Sequence, residues 1–190
     1  MDKLKDIYKK EAVPQMMAKF GYKNTMAAPQ IKKVSINTCF GKEAVTKTSG
    51  EREKIQNFIL RDLASISGQK PKLIKSKKSI AGFKLRENLE IAAMVTLRKS
   101  KMWDFLERLV YLSFPRSRDF KGLDSKMIDK RGNLNIGFRE HIFFPEIFAE
   151  KEKTIFGLEV TIVTNAKSKE EGLELYKLLG FPMKTETIKK

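Results

Sequence analysis

The chain has 190 residues, the size of one domain with room for a second lobe, and 41% of them are hydrophobic, enough for a core that needs no staples. Lys and Arg number 39 against 23 Asp and Glu, a formal net charge of +16 that points to an anionic partner, most simply nucleic acid. One Cys and one His exclude a disulfide framework and a zinc site built from those residues, and no apolar run approaches the ~18 residues of a membrane helix. The opening Met1-Asp2-Lys3-Leu4-Lys5-Asp6 carries acids and lacks an apolar stretch, so it does not read as a signal peptide. The expected class is a cytosolic, polyanion-binding protein.

In chain order, residues 3–20 predict a helix punctuated by Pro14, which suits the start of a second helical turn, and Gly21 closes it. Residues 31–40 predict a strand, because Val34, Ile36, Thr38 and Phe40 alternate with Lys33, Ser35, Asn37 and Cys39. Cys39 has no partner and reads as a buried small hydrophobe. Thr48 to Glu51 matches a capping box, followed by Ile55, Phe58, Ile59, Leu63 and Ile66 at helical spacing and by a closing Gly68. A weaker strand is expected over 71–79. A clean one follows through Leu89, Ile91, Ala93, Val95 and Leu97. Ser100 is placed to cap a helix with Trp103, Leu106, Leu109 and Val110 that ends before Pro115. The irregular 115–154 stretch is too long for a plain loop and should hold short strands, as the alternation of Leu134, Ile136 and Phe138 indicates. Phe156, Leu158, Val160, Ile162 and Thr164 form another strand. Ser168 to Glu171, a second capping box, opens a helix through Leu175, Tyr176 and Leu179 to Gly180.

No repeat or linker interrupts this order, so residues 1–190 are expected to form a single domain. The central succession of strand, helix, strand, strand, helix, strand predicts an α+β fold. It is a split βαβ unit (ferredoxin-like, as in RNA-recognition domains) with a mainly antiparallel sheet, helices on one face and extra N- and C-terminal elements. The open sheet face is then the natural docking surface. Only Gly82-Phe83 echoes the aromatic motif of RNA-recognition domains, so base stacking on the sheet is not expected.

Charge is uneven along the chain: residues 1–95 carry a net +11 and residues 96–190 a net +5. The stretch 70–86 holds Lys70, Lys72, Lys75, Lys77, Lys78, Lys84 and Arg86 with no acid, interrupted by Ile80, Gly82 and Phe83. Arg98-Lys99-Ser100-Lys101 and Arg116-Ser117-Arg118 are smaller knots. A solvated face does not require apolar residues inside a basic run; contact with a phosphate backbone, with small and flat side chains allowing close approach, fits the pattern better.

Catalytic signatures are sparse. No Walker loop and no Gly-x-Gly-x-x-Gly after a strand occurs. His141 has no nucleophile-and-acid arrangement around it and reads as structural. The one enzymatic alternative is a metal-dependent nuclease built from Asp119, Asp124 and Asp129, whose spacing of five residues converges on neither a helix face nor a strand face. No cofactor and no resident metal is expected. A free RNA-binding module acting as chaperone or repressor is the other alternative.

Several blocks resemble a known family. They are SGQKP (67–71), KSIAGFKLR (78–86), VTLR followed by MW-x-F-x-ERL (95–109), PRSRDFKGL (115–123), DKRGN (129–133), GFREHIFFPEI (137–147), GLEVTIVTNAKSKEEG (157–172) and Gly-Phe-Pro at 180–182. Together they resemble the bacterial form of the large-subunit ribosomal protein L-five family, in register from about Tyr8 to Met183. The resemblance implies a non-catalytic, cytoplasmic ribosomal protein of the central protuberance. Such a protein binds 5S rRNA, helps join it to 23S rRNA beside neighbouring large-subunit proteins, touches P-site tRNA and bridges to a small-subunit head protein, with no membrane contact. It also implies rRNA contacts at Asn37, Gln69, Lys70, Thr96 and Arg98. The tRNA contact would fall on the loop bearing Lys77, Lys78, Ser79, Gly82, Phe83, Lys84 and Arg86. Two departures stand out. The family commonly runs Met-Gly-Val-Gly after the equivalent of Asn37, where this chain has Thr38-Cys39-Phe40-Gly41, which sets a bulky Phe beside the implied site. Residues 184–190 extend past the usual end and are expected to form a loose basic tail.

Overall fold

The computed structural model describes residues 3–117, 120–147 and 154–184. Arg118 and Asp119, and all but the first residue of the expected basic tail, lie outside the described residues. The fold is α+β, built on a five-stranded antiparallel sheet. The strands are β1 (Ile31–Cys39), β2 (Lys72–Lys75), β3 (Glu90–Leu97), β4 (Leu134–Phe138) and β5 (Leu158–Thr164), in the spatial order β2-β3-β1-β5-β4. The helices are α1 (Leu4–Ile7), α2 (Val13–Phe20), α3 (Gly41–Thr46), α4 (Ser49–Ser67), α5 (Lys99–Arg108), α6 (Phe114–Arg116) and α7 (Lys169–Leu178). Contacts cluster into two compact units. The first comprises residues 1–34, 98–136 and 161–190; the second comprises 35–97 and 137–160.

In the first unit the two prolines that fall in helical segments, Pro14 and Pro115, are accommodated by the same device. A proline has no N–H and its ring crowds the carbonyl four residues back. Ahead of Pro14 the backbone widens to a π turn over Tyr8–Ala12, so the Val13 N–H bonds to the Tyr8 carbonyl and α2 starts with Pro14 in its first turn. Ahead of Pro115 a second π turn, Leu109–Ser113, lets the Phe114 N–H reach the Leu109 carbonyl. The helical path therefore continues to Arg116 instead of ending before Pro115 as expected. Ser100 is not the cap of α5: the helix already begins at Lys99, and the Ser100 hydroxyl donates to the Asp104 carboxylate at 3.3 Å. Only half of the expected second capping box forms at α7: Ser168 Oγ accepts from the Glu171 N–H at 3.3 Å, whereas the Glu171 carboxylate accepts from the Lys167 N–H at 2.7 Å. Packing is tight at two glycines. A Cβ on Gly172 would lie 2.5 Å from Gly132 Cα, and the buried Tyr176 hydroxyl donates to the Gly132 carbonyl at 3.1 Å.

In the second unit, α4 begins where expected. The Glu51 carboxylate accepts from the Thr48 N–H at 3.2 Å and the Thr48 hydroxyl at 2.9 Å, which holds its carboxyl below the usual range. Gly68 ends the helix at φ +62, donating to the Ala64 carbonyl. Ile59, Leu63 and Ile66 from α4 are fully buried, as are Ala93, Val95 and Leu97 from β3. β2 is shorter than expected, four residues of the 71–79 stretch, because its pairing with β3 shifts register between Ile74 and Lys75 and Ser76 then turns the chain into a loop. Helix α3 follows Phe40 with no cap signal in the sequence; it rests on β3, where the Phe40 N–H donates to the Ile91 carbonyl at 2.9 Å.

Candidate nucleic-acid interface

Strand alternation sorts the second unit's residues into a covered side and an open side. On β1, Ile36 and Thr38 are buried while Ser35 and Asn37 are half-exposed and Cys39 is exposed. The reading of Cys39 as a buried hydrophobe is thus overturned: it shares the open side with Asn37, and Thr38 takes the covered side with its hydroxyl on the Gly157 carbonyl at 2.7 Å. Phe40 is only 4% exposed, so its bulk goes into the core and does not crowd Asn37. On β3, Ala92, Met94 and Thr96 are half-exposed between buried Ala93, Val95 and Leu97. Asn37 Nδ2 donates to Glu159 Oε2 on β5 at 3.1 Å. The open side here mixes polar Ser35, Asn37 and Thr96 with apolar Ala92 and Met94, with Glu159 on β5 as an acid and Lys72 on β2, the partner of Met94, as a cation; past the register shift Glu90 pairs with Lys75.

Gln69 and Lys70 follow the left-handed Gly68 and are exposed. The Gln69 N–H donates to Ser67 Oγ at 3.3 Å, which pins the turn. Together with Asn57, Leu60, Arg61, Ala64 and Pro71 they line an open cavity of about 490 Å³. Arg98 is exposed at the end of β3, in extended conformation, and Lys99 after it has φ +54.

The loop between β2 and β3 is a closed structure. Ser76, 5% exposed, donates to the Arg86 carbonyl at 2.5 Å and accepts from the Leu89 N–H at 3.0 Å. Ile80 and Leu85 bridge in antiparallel fashion below a 3₁₀ turn, Ala81–Phe83, and Ser79 Oγ accepts from the Glu87 N–H at 2.9 Å. At the tip Phe83 is 75% exposed and Ile80 45%, so neither folds back into the core. Lys77, Lys78, Ser79, Gly82, Lys84 and Arg86 are exposed around them. Lys84 and Asn88 have φ +51 and +61. With Lys99 they are the three non-glycine residues of positive φ among the described residues, and all lie between 84 and 99. Left-handed backbone costs a Lys about 1 kcal/mol or more, and such strain is commonly stored where a protein binds.

Of the acidic residues weighed as a nuclease site, Asp119 lies outside the described residues, and Asp124 and Asp129 are occupied elsewhere. Asp124 accepts from the Lys126 N–H at 2.9 Å, which lowers its pKa. Asp129 accepts from the N–H groups of Arg131 and Asn133 and from the Asn133 amide. Burial raises its pKa, and these hydrogen bonds outweigh that to leave a net lowering. Each therefore organises its own turn. His141 is fully buried: Nε2 lies 3.3 Å from Asp62, Nδ1 accepts from the Phe156 N–H at 3.4 Å, and the ring stacks on Phe156 at 3.8 Å. Its role is to join the 137–160 segment to α4. The sequence reading missed Ser76, Glu90 and Glu159; strand parity flags Glu159 as an acid on a polar face, whereas nothing local flags Ser76.

Comparison with known proteins gives a concordant result. Residues 24–86 match the model of the family "Ribosomal protein L5", and residues 90–183 match the model of the same ribosomal family's C-terminus. The large ribosomal subunit protein uL5 of Halothermothrix orenii is 48% identical over 182 residues, 96% of this chain and 98% of that one. The proteins of the same name from Geotalea uraniireducens (48%, covering 97% and 99%) and Francisella tularensis subsp. novicida (47%, covering 97% and 100%) are similar to it to the same degree. No described helix is long and apolar enough to cross a membrane. The chain belongs to the ribosomal protein L5 (uL5) family of bacterial type, non-enzymatic structural components of the large ribosomal subunit that serve translation.

Proposed function

We propose that the protein acts as one RNA-binding domain that holds 5S rRNA on the open side of its sheet and helps anchor it to 23S rRNA. Asn37, Gln69, Lys70, Thr96 and Arg98 make the 5S contacts. The loop with Lys77, Lys78, Ser79, Gly82, Phe83, Lys84 and Arg86 reaches the P-site tRNA, and the same protein bridges to a small-subunit head protein beside its large-subunit neighbours. The strand order β2-β3-β1-β5 supports this reading, since it is the order of a split βαβ unit with β4 added at the edge. The observation that carries it is the division of labour within the second unit: a sheet face with few charges, of both signs, beside a strapped, basic loop with an exposed aromatic tip. Shortening residues 79–84 to two glycines tests it on reconstituted subunits. The expected result is near-normal 5S affinity and subunit assembly with weaker P-site tRNA occupancy. Lost 5S binding, or unchanged tRNA occupancy at physiological salt, contradicts the assignment.

A further inference from the structure

A carboxylate on the RNA-facing side of a +16 chain is costly unless it does something there, because it repels every phosphate that approaches. Glu159 is exposed on β5 and hydrogen-bonded to Asn37 on the neighbouring strand at 3.1 Å. An ionised carboxylate only accepts, so the Asn37 amide must present Nδ2 to it. This fixes the amide's rotation and leaves Oδ1, which accepts from no group among the described residues, as the end available to a ligand.

Resting on the reading of this face as the 5S site, we infer that Glu159 is a positioning and selectivity residue for RNA. It sets Asn37 to accept a hydrogen bond from the N–H edge of an unpaired base and keeps phosphate off that spot. A base edge is favoured over the ribose because a 2′-hydroxyl brings its own phosphates within a few ångströms of the carboxylate, while a splayed base holds them away. Glu159 accordingly trades general affinity for discrimination, the charged basic segments supplying the affinity.

The test uses the full chain with 5S rRNA and with a scrambled RNA of equal length and composition. Glu159→Ala removes both charge and acceptor; Glu159→Gln removes the charge and keeps an acceptor for Asn37 Nδ2. The Ala variant should bind 5S rRNA about tenfold more weakly, the loss expected for one well-placed polar contact, while binding scrambled RNA more tightly. The Gln variant should retain most of the 5S affinity and gain only on scrambled RNA. In an Asn37→Ala background the Glu159→Ala loss on 5S rRNA should largely vanish. Equal fold-changes on both RNAs, indistinguishable Ala and Gln variants on 5S rRNA, or an undiminished loss in the Asn37→Ala background would each overturn the inference alone. A folded Asn37→Ala variant with full 5S affinity removes the sheet-face reading itself and this inference with it.

Discussion

The β2–β3 loop and the open face of β1 and β3 belong to one compact unit, yet they are built for different kinds of contact. Residues 77–86 carry four basic side chains and no acid, and their apolar tip stands in solvent. The strand positions Ser35, Asn37, Ala92, Met94 and Thr96 are uncharged, and the nearest ionised partner of Asn37 is an acid. Basic charge attracts any phosphate backbone and is screened by salt, whereas an oriented amide recognises one donor and is nearly salt-blind. On the proposed reading, net charge and site specificity are separable within this unit: the basic segment would supply attraction to phosphate and the sheet face the discrimination of 5S rRNA.

The largest expected effect comes from removing the loop's charge. Replacing Lys77, Lys78, Lys84 and Arg86 by Gln takes away up to four phosphate contacts. At about −0.7 each, the slope of log K against log salt for tRNA contact should flatten by roughly 3. Binding of 5S rRNA by the rest of the protein should keep a slope of at least about −3, because the remaining basic residues stay in place. If the quadruple variant loses 5S affinity as steeply as tRNA contact, the two regions are one binding surface and the comparison fails.

Next in size are the single truncations that separate specific from electrostatic contact. Arg98→Ala should weaken 5S binding by roughly 1.5–3 kcal/mol, the worth of a charge-assisted hydrogen bond. It should also reduce the salt slope by about one contact. Asn37→Ala should cost about 1 kcal/mol and leave the slope unchanged. Both side chains lie outside the core, so melting temperatures should match the parent. A variant that melts many degrees lower with normal affinity per folded molecule identifies a structural residue instead.

A smaller and more local effect is expected at Ser76. Ser76→Ala leaves the Arg86 carbonyl and Leu89 N–H without their shared hydroxyl, at about 1–2 kcal/mol. Hydrogen exchange should quicken at residues 76–89, and tRNA contact should weaken while 5S affinity holds. Uniform exchange across the protein would show that the loop has no separate stem.

Most of this architecture is legible in the sequence because strand alternation and helix caps are local signals. Val34 to Thr38, Ala93 to Leu97 and Leu158 to Thr164 each show the side that is buried, and Gly21, Gly68 and Gly180 end their helices as expected. What was illegible depends on contacts remote in sequence or on backbone choices that composition does not encode. Pro115 looks like a helix stop, yet a widened turn absorbs it. Helix α3 has no cap of its own and is held against β3. Ser100 has the right chemistry for a cap, but the helix starts at Lys99, left-handed, with Arg98 in the cap position, two residues earlier than a Ser100 cap requires. Cys39 illustrates a conflict of signals: residue type argued for burial and strand parity for exposure, and parity prevailed. Among the residues implied for RNA, resemblance located Asn37 and the loop, while the pairing of Asn37 with Glu159 required knowing that β5 lies beside β1.

The smallest expected effect serves as the control for the whole comparison. Thr48 and Glu51 cap the start of α4, and Gln69 follows its end about 28 Å away at 1.5 Å per residue. The Glu51 carboxyl is held below its ordinary 4.5, chiefly by the Thr48 hydroxyl and then by the Thr48 N–H. A carboxyl lowered in the folded state stabilises the fold at pH values above the unfolded pKa. That contribution disappears as pH falls from about 4.5 through the lower folded value. Thr48→Ala should therefore cause a small drop in melting temperature at neutral pH. It should also flatten the acid limb of the stability curve below pH 5 relative to the parent. At neutral pH the 5S affinity per folded molecule, the tRNA contact and both salt slopes should stay at parental values, because the cap touches neither the loop nor the open face. If weakening this distant cap shifts 5S affinity at neutral pH, α4 transmits its stability to Gln69, and effects seen at the sheet face must be corrected for it before they are read as contacts.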